Sequence, residues 1–133
     1  MQKRLLSLIL LFIISSLTLF GCGNNNASVD SITYEEFPEK VKELGVEFET
    51  VEMIAEVIGA QEGIKLDTED YGNCELYRFD PDSEAYKTLE KEGSLELFGQ
   101  KYEFLTHDGF GFLIDDEFPE YDQVIELFNR LRQ

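Results

Sequence analysis

The sequence predicts an α+β domain built on an antiparallel sheet of about five strands, with helices packed mainly on one face. Two observations carry that expectation. Helical stretches and strand-like runs come in groups, helix, helix, two strands, helix, three strands, helix, and not in the strict alternation of a parallel βαβ fold. Within each group the strand-like runs are also joined by short turns that suit hairpins, which suggests an antiparallel sheet.

The elements follow in order. Thr33 and Glu36 have capping-box spacing, and Phe37, Val41 and Leu44 then fall on one helical face up to Gly45. Pro38 suits a helix whose regular turns begin there. A second helix is expected from Thr50 to Ile58, with Val51, Ile54, Ala55 and Ile58 on one stripe and Gly59 as its stop. Ile64 to Thr68 and Cys74 to Phe79 read as strands around the turn-rich Glu69-Asp70-Tyr71-Gly72-Asn73. Asp82 or Ser83 can cap a third helix through Glu92, with Ala85, Tyr86 and Leu89 on its apolar side and Gly93 ending it.

Leu95 to Phe98, Lys101 to Thr106 and Phe110 to Ile114 predict a three-stranded meander. Gly99-Gln100 suits a type II′ turn and Asp108-Gly109 a type I′ turn. A last helix, opened by Pro119 at its first position, carries Tyr121, Val124, Ile125, Phe128 and Leu131 on one stripe, with Arg130 and Arg132 near its negative end. Glu36-Phe37-Pro38-Glu39 recurs as Glu117-Phe118-Pro119-Glu120, which reflects shared helix-start chemistry and not duplication.

Ahead of all this, Lys3 and Arg4 precede an apolar run from Leu5 to Phe20 interrupted only by Ser7, Ser15, Ser16 and Thr18. As a helix the run spans about 24 Å, short of the ~30 Å hydrocarbon core, so a processed signal peptide fits better than a permanent span. Its last residues, Leu19-Phe20-Gly21-Cys22, resemble the lipobox of bacterial lipoproteins. The resemblance implies a lipoprotein signal helix over residues 1–21, cleavage between Gly21 and Cys22, and acyl chains on Cys22 that hold the protein to the cell membrane, facing away from the cytoplasm. Two or three such chains suffice for stable anchoring. Residues 22–32, beginning with the small polar Gly23-Asn24-Asn25-Asn26-Ala27-Ser28, are expected to form a flexible tether, and residues 33–133 a single acidic domain.

Charge narrows the partners. The chain has 28 acidic and 11 basic residues, and loss of Lys3 and Arg4 with the signal takes the net charge from −17 to −19. That balance disfavours nucleic acid, whose phosphates need clustered Lys and Arg, and repels anionic headgroups, leaving membrane attachment to the acyl chains. With Cys22 lipidated, Cys74 has no partner for an internal disulfide and is expected to be a small buried hydrophobe.

Ile58-Gly59-Ala60, Gly63, Glu75 to Asp80, Ala85-Tyr86, Gly93 and the strand to Asp115 before an amphipathic helix resemble small lipoproteins of Firmicutes. That group has no assigned activity, so the resemblance implies a fold and no chemistry.

The candidate sites each have a plainer explanation. Asp80-Pro81-Asp82-Ser83-Glu84 alternates oxygens as a calcium loop does, but Ala85 and Lys91 stand where an EF-hand needs Gly and Glu, which favours a turn and a helix cap. Asp115-Asp116-Glu117 reads as a solvated cluster near a helix start. His107, the one histidine, is expected in an exposed turn. Catalytic residues, a metal site and a cofactor are not assigned.

The large aromatic set, including Tyr71, Tyr77, Phe79, Phe98, Phe104 and Phe112, leaves open an exposed binding patch on an uncovered sheet face. The leading expectation is a lipid-anchored, extracytoplasmic binding protein with an envelope partner. The alternatives are a cell-surface immunity protein, or a small envelope hydrolase using His107 with nearby carboxylates, in which Asp115 or Glu117 would meet His107 or Cys74 in a pocket.

Overall fold

A computed structural model describes residues 30–133 of the chain, and the signal residues, Gly21 and Cys22 lie outside them. The folded unit begins at Ser31. Ile32, expected in the tether, is buried and forms a parallel bridge with Leu131, its amide donating to Arg130 O at 3.0 Å and its carbonyl accepting from Arg132 N at 3.0 Å.

Helix α1 (Phe37–Glu43) starts where its cap dictates. The Thr33 amide donates to Glu36 Oε2 at 2.8 Å and the Glu36 amide to Thr33 Oγ1 at 3.3 Å, so the capping box forms, with regular helix following at Phe37-Pro38. The expected second helix is absent. Its residues form strand β1 (Glu49–Glu52) and a 3-10 turn, Ala55–Ile58, closed by Gly59 at φ +76°. Thr50 and Val51 are β-branched, and the pairing of Glu49 with Asp67 and Val51 with Lys65 supplies backbone hydrogen bonds that outweigh a weak helical periodicity.

Strands β2 (Glu62–Asp67) and β3 (Asn73–Arg78) form the expected hairpin. Helix α2 (Glu84–Glu92) is capped by Ser83, whose hydroxyl accepts from Tyr86 N at 3.2 Å, and ends at Gly93.

The expected meander is two separate structures. β4 (Ser94–Leu97) and β5 (Gln100–Glu103) make a ribbon of their own, while β6 (Leu105–His107) and β7 (Phe110–Ile114) join the main sheet, whose order is β1-β2-β3-β7-β6, antiparallel throughout. The run from Lys101 to Thr106 breaks at Phe104, whose buried ring belongs to the core between the two structures. The Phe98-Gly99 turn of the ribbon has positive φ at both central residues, +52° and +79°, the type I′ pattern and not type II′. Asp108-Gly109 has φ of +47° and +84° and is type I′ as expected. Helix α3 (Tyr121–Asn129) begins two residues after Pro119, behind Glu120 at φ +54°.

Alternation along the strands sends side chains to two cores. Leu66, Cys74, Leu76 and Phe112 meet α1 and α3 on one face, where Phe112 stacks on Phe128 with centroids 4.9 Å apart and meets Phe37 edge-on at 5.7 Å. Both Phe-Pro helix starts contribute, since Phe37 and Phe118 are buried in this layer. The opposite face is covered at one end by α2 and the ribbon, which pack Tyr86, Leu89, Leu95 and Tyr102 around Tyr77 and Phe79. Two of the three α-helices among the described residues thus share a face, and the architecture is α+β with a five-stranded antiparallel sheet.

Candidate functional site

The residues singled out for chemistry do not converge. Cys74 lies in the middle of the sheet, 1 % exposed, opposite Leu66 and Ile114, and burial pushes its thiol far above the ordinary value. It is a small hydrophobe and not a nucleophile. His107 pairs with Phe110 at one end of β7, its ring edge-on to Phe128 at 6.0 Å and its Nε2 against Arg132 Nη1. Asp115 follows the other end of the same strand. Five residues at roughly 3.3 Å each put about 17 Å between Phe110 and Asp115, so His107 and Asp115 stand at opposite ends of β7.

Asp80-Pro81-Asp82-Ser83 forms a turn and a cap. Asp80 Oδ1 accepts from Asp82 N at 2.9 Å, and the Ser83 hydroxyl donates to Asp80 O at 2.7 Å. Among the described residues no three His, Cys, Asp or Glu side chains are placed to hold a metal ion.

What the fold does assemble is an open groove of about 930 Å³ between two loops distant in sequence. One wall is Gly45 to Glu49, joining α1 to β1; the other is Asp67 to Tyr71, joining β2 to β3, and Pro119 also lines the groove. Five carboxylates line it, Glu47, Glu49, Asp67, Glu69 and Asp70, together with the Tyr71 and Phe48 rings. Lys65 reaches only Asp67, at 3.3 Å, and Lys42 lies over the Phe48 ring at 5.8 Å from its centroid. The groove is therefore strongly negative, with aromatic surface beside the carboxylates.

The second wall is rigidly built. Buried Thr68 donates its hydroxyl to Gly72 O at 2.6 Å and its amide to the same oxygen at 3.1 Å, while its Oγ1 accepts from Tyr71 N at 3.0 Å. Asp115 locks the loop from outside: its Oδ2 accepts from Asn73 N at 2.8 Å and sits where a Cβ on Gly72 would come within 2.6 Å. Gly72, at φ +78°, is thus required both by its backbone and by its neighbour. Tyr71 is left 58 % exposed on a fixed support.

Sequence patterning marked Tyr71 and the Glu69-to-Asn73 turn but not the opposite wall, because Gly45 to Glu49 has no local signature. Most of the remaining aromatic set is core: Tyr77, Phe79, Tyr86, Phe104, Phe110 and Phe112 are all buried. A smaller recess of about 260 Å³ holds Tyr34, Glu35, Arg78 and Arg132, but Arg78 is already engaged by Glu35 and Glu62 and stacks over Tyr34 at 5.2 Å. No protein-family model matches the chain, and neither a curated protein nor a solved structure shows significant similarity to it.

Proposed function

We propose that the chain is a lipid-anchored, extracytoplasmic binding protein whose acidic groove receives a positively charged partner of the cell envelope. The observation that carries the reading is the groove itself: five carboxylates line it together with Tyr71, whose loop is held by Thr68 and Asp115. A negative groove of this kind attracts a cationic partner, whose positive group can also stack on the exposed ring. The lipobox resemblance at Leu19 to Cys22 and the polar tether support the place of action.

The test expresses the full chain in a bacterial host with a photo-crosslinking residue in place of Tyr71. A crosslinked partner is expected on membranes, and its yield falls when Glu47, Glu69 and Asp70 are changed to their amides. Equal crosslinking after neutralisation would show that the groove is not the contact surface. Cys22→Ala is expected to abolish palmitate labelling and release the protein from the membrane fraction, and retention there would remove the lipid anchor from the proposal.

A further inference from the structure

We infer that the open edge of β1 is a docking strand, pairing through its backbone with an extended cationic segment of a partner protein. The inference rests on the groove reading and deepens it by specifying how a partner is held.

In the five-stranded sheet the edges are β1 and β6, and β6 is only three residues long. β1 is exposed along its whole length. The Met53 amide donates to Gly63 O at 2.9 Å, and the register pairs Val51 with Lys65 and Glu49 with Asp67. Hydrogen-bonded and non-bonded pairs alternate in an antiparallel ladder, so Thr50 and Glu52 turn their N–H and C=O groups away from β2. These are the groups an added strand would use.

The side chains beside this edge fit one kind of occupant. Val51, Ile54 and Val57 are 41 %, 76 % and 58 % exposed, a concentration of apolar surface within seven residues of an otherwise acidic chain. Glu47, Glu49, Glu52 and Glu56 accompany them, and no Lys or Arg occurs between Lys42 and Lys65. A second copy would bring these glutamates against each other, whereas an extended segment carrying both basic and apolar residues meets both features. Glu49 begins β1 and also lines the groove, so a strand on this edge continues into the groove toward Tyr71.

The probe is a synthetic peptide alternating lysine with valine, added to the full-length chain in nonionic detergent while amide hydrogen exchange is followed. Exchange at Thr50 and Glu52 is expected to slow. Thr50→Pro, which removes an outward N–H that β2 does not use, is expected to weaken binding about tenfold or more, with Thr50→Ala close to wild type. Alternate N-methylation of the peptide, which leaves the protein unaltered, is expected to weaken it similarly. Binding that perturbs Glu69 to Tyr71 but leaves the Thr50 amide unprotected, with Thr50→Pro unaffected, overturns edge pairing while the groove reading stands. Absence of binding at both places overturns both. Equal binding of a glutamate-for-lysine peptide, or protection of the same amides by self-association without peptide, overturns the cationic partner.

Discussion

Phe98 occupies a position that works against folding, and its replacement by asparagine is expected to stabilise the protein. It is the first central residue of the type I′ turn between β4 and β5, at φ +52°, with Gly99 following at φ +79°. Left-handed backbone costs an ordinary L-residue roughly 1–2 kcal/mol, and asparagine much less because its short side chain can hydrogen-bond locally. The ring offers no compensation, since Phe98 is 98 % exposed and buries almost nothing. Phe98→Asn should therefore add about 1 kcal/mol. For a domain of this size that corresponds to a rise in Tm of about 4–8 °C. Thermal unfolding followed by circular dichroism measures the shift, and urea unfolding with an unchanged slope would confirm that the native state gained stability. Phe98→Ala, which removes the ring but keeps an ordinary residue in the left-handed region, should change Tm little. A lower Tm for Phe98→Asn would refute the reasoning, because it would show that the ring has a stabilising contact.

Three further outcomes follow from the same geometry. Asp115→Ala removes the acceptor for the Asn73 amide and should cost about 0.5–1.5 kcal/mol, with faster hydrogen exchange at Asn73 and within the loop bearing Tyr71; unchanged exchange would dissociate Asp115 from that loop. Cys74→Ser places a hydroxyl in a site 1 % exposed and should destabilise by about 1–3 kcal/mol, and the native thiol should resist a thiol reagent that modifies the unfolded chain at once. Burial raises the phenols of Tyr34 and Tyr77, with Glu62 adding to the first and the Glu75 hydrogen bond, at 2.6 Å, to the second. Both phenols are neutral in either state below the ordinary tyrosine value, so their effect is constant there. Above about pH 10 the unfolded chain ionises first, and stability should fall as pH rises. Unfolding free energies that stay level across that range would contradict the burial.

Local chemistry made some elements legible. The Thr33–Glu36 capping box, the Ser83 cap, the Gly93 stop and the Asp108-Gly109 turn are each decided by residues within four positions of one another, and each forms where the sequence places it. Long-range pairing hid others. The run from Lys101 to Thr106 divides at Phe104, whose ring is buried in the second core, so β4 and β5 stand apart while β7 pairs with β3 as well as β6. The groove was illegible for a similar reason: its walls at residues 45–49 and 67–71 belong to different connections, and only the β1–β2 pairing brings Glu49 opposite Asp67.

The stretch from Val51 to Ile58 is the most informative of these departures. Its apolar residues satisfy a helical period, yet the chain forms strand and 3-10 turn, burying Ala55, half-burying Met53 and Ile58, and leaving Val51, Ile54 and Val57 in solvent. The amphipathic faces of α1, α2 and α3 end in the core, so the period there was created by packing. Here it cannot have been, because half of the pattern is not packed. Exposed side chains contribute little to folding, and an apolar strip beside an open sheet edge invites aggregation unless charge guards it or a partner covers it. Glutamates at 47, 49, 52 and 56 supply the guard against a second copy, and the same glutamates attract a cationic strand. Guard and binding surface are thus one set of residues, which is why neutralising them should both weaken a cationic partner and promote self-association through β1.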